Sequence, residues 1–137
     1  MNDPERRVRD RLLAAHAGPL AATIERADAV AASWDGPVTR REQVVEPLRA
    51  VLERAGLLER YPPMLVDAAE VLCSTLPASP VAAPPYVTVT SRGPVLRATL
   101  SEGRLVVRID VFAVERDPVR YVRRGRRPAD VLHVERR

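Results

Sequence analysis

The first apolar stripe of the chain, Leu13, Ala17, Leu20, Ile24, Ala27, Ala31 and Trp34, advances in alternating steps of four and three residues. That spacing holds side chains on one face of a helix. The register crosses Gly18-Pro19 without slipping, which predicts one long helix from Pro4, kinked at the proline and stopped by Asp35-Gly36-Pro37. Thr39 followed by Glu42 reads as a capping box, and Val44, Leu48, Val51, Ala55 and Leu58 then repeat the pattern to an end near Gly56 or Leu58, with Pro47 at a kink or in the first turn. The two helices form a hairpin whose stripes pack on one another or on a second copy of the chain. A third helix, residues 63–76, places Leu65, Ala69, Leu72 and Leu76 on one face and exposes Asp67 and Glu70.

Beyond a stiff linker with four prolines in residues 77–85, the period changes to two. Residues 86–90, 95–100 and 105–114 alternate as strands, separated by the turn clusters Ser91-Arg92-Gly93-Pro94 and Ser101-Glu102-Gly103-Arg104. A three-stranded antiparallel meander follows. Asp117 as N-cap, Pro118 in the first turn and Gly125 as a left-handed stop predict a short helix over 118–124. On it Val119 and Val122 face the sheet, while Arg120, Arg123, Arg124 and Arg127 share the outward face, with Arg126 beside them. The final run, 130–134, has strand character and suits a sheet edge, with a helical turn from Pro128 as the alternative.

The fold expected is therefore one α+β domain over residues 1–137. An N-terminal helical hairpin and a third helix (1–76) pack, through the 77–85 linker, on a three- to four-stranded antiparallel sheet with a short basic helix (86–137). At 137 residues with 46% hydrophobic content the chain has enough material for a real core. No apolar run approaches the roughly 20 residues of a membrane helix, and the opening residues lack the apolar segment of a signal peptide, so the expected location is cytoplasmic. The single Cys73, beside the third helix's stripe, is expected in the core.

Charge sharpens the picture. All 22 basic residues are arginine, a usage that a GC-rich genome or unusual salt explains without any binding role. Their distribution is lopsided: residues 1–115 hold 14 Arg against 15 Asp or Glu, whereas residues 116–137 hold 8 Arg against Asp117, Asp130 and Glu135.

Catalytic constellations are sparse. His16 and His133 lie on distant elements and no nucleophile, phosphate-loop or dinucleotide motif is present, so no catalytic residue, cofactor or metal ligand is assigned. His133 and Glu135 share a strand face and are candidates to pair. Asp110, Glu115 and Glu70 are the carboxylates available to a divalent metal, which makes a metal-dependent nuclease the third reading.

The leading reading is a non-enzymatic binding protein whose Arg120, Arg123, Arg124, Arg126 and Arg127 contact nucleic-acid phosphates, because guanidinium groups bind phosphate bidentately. The order helix, three strands, helix resembles that of double-stranded-RNA-binding domains in element order alone. The rival is a protein-interaction or scaffold module, as a homodimer or with an acidic partner, in which those arginines meet a partner's acids or the chain's own Glu59, Asp67 and Glu70.

Overall fold

Asp3 opens the first helix by accepting from Arg6 N, with Pro4 in the first turn, in the computed structural model, which describes residues 3–137. Met1 and Asn2, the start of the opening segment, lie outside the described residues.

The long kinked helix is instead two: α1, Pro4–Ala15, and α2, Ala17–Ala32, which meet at His16 with φ −125° and ψ 29°. Pro19 explains the break. It has no N–H for Ala15 O and its ring crowds that carbonyl, so the chain restarts with the proline in the first turn of α2. His16 Nε2 donates to Asp67 Oδ2 on the later helix α4, Pro62–Val71, at 2.6 Å, pinning the break. The two segments then go separate ways, α1 packing on α4 and the last strand, α2 on α3, Glu42–Arg54.

At the start of α3 it is Gln43, not Glu42, whose side chain accepts from Thr39 N and Arg40 N. Pro47 stays inside the helix. The C-terminus closes with Leu57 N on Leu52 O and Gly56 N on Glu53 O, a Schellman pattern with Gly56 at φ 71°. A single 3-10 turn, Leu58–Arg60, leads into α4.

α4 ends earlier than expected and by the same closure, Ser74 N on Ala69 O and Cys73 N on Glu70 O, which puts Cys73 in the left-handed position at φ 52°. The cysteine is exposed and not part of the core, correcting the packing role read from its neighbours in sequence. Cys73→Gly is accordingly expected to raise stability by about 0.5–1 kcal/mol, since glycine adopts this conformation without Cβ strain. A urea midpoint that stays put or falls would count against it.

In the sheet half, β1 (Val87–Val89), β2 (Pro94–Leu100), β3 (Gly103–Ile109) and β6 (Leu132–Arg136) form one antiparallel sheet in the order β1-β2-β3-β6. The α+β arrangement of helical hairpin, third helix and antiparallel sheet is thus the observed one. The linker is less extended than its prolines suggest, turning at residues 83–86 with Tyr86 N on Ala83 O.

The expected third strand splits after Ile109. Val111 N and Phe112 N both donate to Arg92 O, two residues against one acceptor, and this bulge swings Phe112 into the core beside Val111. A second, two-stranded sheet follows: β4 (Phe112–Glu115) pairs with β5 (Arg120–Arg123). The basic stretch expected as a helix over 118–124 is therefore half of a hairpin. Asp117-Pro118 serves a turn, with Asp117 at φ 63°, and Val119, Tyr121 and Val122 have the side chains of a strand. The short helix falls later, as α5, Pro128–Val131, so both alternatives for the last run occur, α5 and then β6 at the sheet edge.

The helices cover one face of the larger sheet. Val87, Leu96, Ala98, Leu105, Val107, Ile109 and Leu132 join Leu12, Leu48, Leu52, Met64 and Leu65 in one core cluster that draws on both halves of the chain. Within it Tyr61 donates to Thr23 Oγ1 at 2.6 Å while Thr23 donates to Pro19 O, and burial pushes the Tyr61 phenol up. Leu20, Ile24 and Ala27 of α2 and Val44 and Leu48 of α3 lie inside this core, with Val51 partly buried against it; among the described residues the exposed large apolar side chains are Val66, Val81 and Val119, well apart in sequence. Among the described residues no helix is long and apolar enough to cross a membrane.

Candidate anion-binding face

Pairing in β5 divides the arginines that a helix would have gathered. Successive strand residues point to opposite faces, so Arg120 and Arg123 part company. Arg120 Nε donates to Glu115 Oε1 at 2.8 Å across the hairpin, and Arg124 reaches Glu115 Oε2 at 3.1 Å. Arg123 turns inward: it donates to Asp28 on α2 at 2.9 Å and to the carbonyls of Val111 and Gly125. Arg127 lies 3.4 Å from Asp130. Of the five, Arg126 alone has a guanidinium with no carboxylate partner among the described residues.

The acids involved are Glu115 and Asp130 of the sheet half and Asp28 of the helical half; Glu59, Asp67 and Glu70 are not among them. Hydrogen bonds and charge from Arg120, then Arg124, hold the Glu115 carboxyl below its ordinary range. Backbone N–H groups of Arg127 and Arg126 do the same for Asp130. These carboxylates stay ionised to lower pH than usual, so the pairing persists through the neutral range.

Asp110, Glu115 and Glu70, the carboxylates of the third reading, take separate places. Asp110 lies 3.6 Å from both Arg108 and His133, while Glu115 sits in the hairpin. Among the described residues no three His, Cys, Asp or Glu side chains gather as metal ligands. His133 and Glu135 share a face without a bond between them: Glu135 takes Arg108 at 3.0 Å and Arg137 at 2.9 Å. Its carboxyl is lowered chiefly by the Arg137 hydrogen bond, and further by Arg108. Arg108 Nε is buried without a hydrogen-bond partner, 3.6 Å from Asp110 being too long for one.

These groups lie on the sheet face turned away from the helices. Registers Val95↔Arg108, Arg97↔Val106, Thr99↔Arg104 and Arg108↔His133 place the named residues on that face together. Val95 and Val106 are buried there at 6% and 2% exposure, yet stand outside the core cluster. The face has two ends. One carries the ion-paired Arg108, Asp110, His133 and Glu135; the other carries Arg97, Thr99, Arg104 and Arg137.

A hollow of about 540 Å³ occupies the second end, lined by Pro77, Pro85 and Tyr86 from the linker and by Arg97, Ala98, Thr99, Arg104 and Arg137. A smaller one of about 350 Å³ adjoins it at Leu100, Gly103, Arg104 and Arg137. No Asp or Glu side chain lines either. Among the described residues Arg97 and Arg104 have no ion-pair partner; Arg137 alone is engaged, by Glu135.

Arg97 and Arg104 lie outside the C-terminal charge excess, so counting charge along the chain does not find them. A signal was present: folding the chain about Ser101-Glu102 sets Thr99 against Arg104 and Arg97 one step further along the same face. The place of Arg137 had no such local mark, since it depends on how β6 registers on β3.

This geometry defines an α+β domain with an arginine-rich open sheet face. The chain belongs to the DUF7988 family, a domain of unknown function, whose family model matches residues 6–137. No curated protein and no solved structure matches it.

Proposed function

We propose that the chain is a non-enzymatic binding protein that receives nucleic-acid phosphates on the outer face of its sheet, at Arg97, Arg104 and Arg137, with Arg126 as an outlying contact. The observation that supports this is the pair of guanidinium groups without an ion-pair partner among the described residues, Arg97 and Arg104, sharing one concave surface lined by no Asp or Glu side chain. Arg120, Arg123, Arg124 and Arg127, the first candidates for the same role, are neutralised by carboxylates of the chain and contribute less.

The test is fluorescence anisotropy with labelled duplex DNA, duplex RNA and single strands at several salt concentrations. For duplex DNA the log–log salt slope carries about 0.9 for every phosphate that the protein neutralises, so Arg97→Gln with Arg104→Gln is expected to flatten it by about 2. Arg126→Gln should change it by at most about 1. A double variant with the wild-type slope, or a wild type inert towards every nucleic acid at low salt, overturns the proposal. The second outcome favours the other reading, an acidic protein partner.

A further inference from the structure

Strand pairing crowds three like charges at one end of the sheet. Arg104 and Arg137 are directly opposite, each N–H donating to the other's main-chain oxygen at 2.8 Å, and Arg97, on β2, lies diagonally from Arg104. Directly opposite side chains on one face have Cβ atoms about 5 Å apart and diagonal ones about 7–8 Å, and like charges so placed destabilise a sheet. Glu135 relieves Arg137 but is shared with Arg108, and no Asp or Glu side chain pairs with Arg97 or Arg104 among the described residues. A local conflict of this kind, left uncorrected, is the mark of a site shaped for a ligand.

We propose that the hollow at Arg97, Arg104 and Arg137 is a seat for a terminal phosphomonoester, at the end of a nucleic-acid strand or on a free ester of mononucleotide size. This rests on the reading above in taking the same arginines as ligands of phosphate. A phosphomonoester carries about −1.5 to −2 at neutral pH and three acceptor oxygens, which matches two uncompensated guanidinium groups and the exposed Thr99 hydroxyl; an internal phosphodiester brings a single charge.

The shape agrees. β1 starts only at Val87 while β2 runs on to Leu100, so residues 98–100 have no strand on that side, and Pro77, Pro85 and Tyr86 bound the hollow there instead of leaving a groove along the sheet. Its volume, about 540 Å³, is that of a small-ligand pocket. The half-buried Tyr86 offers a ring against which a base can stack.

The experiment compares two oligonucleotides that differ only in a 5′-phosphate or 5′-hydroxyl, together with a 5′-mononucleotide and inorganic phosphate, by calorimetry and backbone amide NMR. The phosphorylated strand is expected to bind about tenfold tighter at pH 7.5, with shifts centred on residues 97–104. That advantage should shrink at pH 5, below the second phosphate pKa of about 6, and vanish in Arg97→Gln with Arg104→Gln. Equal affinity of the two strands overturns this proposal and leaves nucleic-acid binding standing. If neither strand binds but the mononucleotide shifts residues 97–104, the seat stands, its ligand is the free ester, and the nucleic-acid reading falls. No response to any phosphomonoester overturns it. Should the double variant fail to fold, the two strands on the wild-type chain decide the matter alone.

Discussion

Gly93→Ala is expected to destabilise the protein by about 3–5 kcal/mol, enough to leave a marginal domain largely unfolded. Gly93 has φ 142°, a region open to glycine and strained for every other residue. A Cβ there would lie 2.0 Å from Ile109 O and 3.1 Å from Val111 Cγ2. The obstacle is a backbone carbonyl of β3 at the point where the chain leaves the large sheet, so nothing flexible can retreat. Relief requires moving Arg92 O away from Val111 N and Phe112 N, and with it the bulge that aims the hairpin. Gly36→Ala provides the comparison: its φ is 115°, but nothing lies within 4 Å of the new Cβ, so it meets conformational strain alone and should lose about 1 kcal/mol. Urea unfolding followed by Trp34 fluorescence separates the two. If Gly93→Ala costs no more than Gly36→Ala, the close approach of the strands is not what requires glycine.

Phe112→Ala is expected to cost about 3–5 kcal/mol and to loosen the hairpin from the helices. Phe112 is 1% exposed and its ring stands 5.5 Å from that of Trp34, inclined by 36°. The same side chain begins β4, so its loss removes the apolar anchor beside which Arg123 meets Asp28. Two readouts follow: a lower urea midpoint, and a red shift of native Trp34 emission as water reaches the indole. Phe112→Leu keeps most of the buried volume and should lose less than half as much. A native Trp34 spectrum unchanged in Phe112→Ala would mean that the hairpin is held by its polar interactions instead.

Helical and strand periods are properties of neighbouring residues, and they carried the fold a long way. The stripe through Leu20, Ile24 and Ala27, the alternation through β2 and β3, and the edge strand after Asp130 all lie where the patterns put them. Errors came where two local rules competed. At 118–124, Asp117-Pro118 and Gly125 satisfy the punctuation of a short helix and of a strand hairpin alike, and the partner strand β4 decided between them. Across Gly18-Pro19 an unbroken apolar register concealed a helix break at His16, because the stripe constrains which face is buried and not whether the helix is continuous.

The sequence by itself determined the class of fold, the strand and helix faces, and the total charge, since each follows from residues near one another or from simple counting. Which arginines remain available was decided only in three dimensions. Arg123 is spent on Asp28, 95 residues away, and Arg137 joins Arg104 through a strand pairing that neither residue announces. A charge acts according to what lies within a few ångströms of it, and in a folded chain those neighbours are chosen by the packing of whole elements.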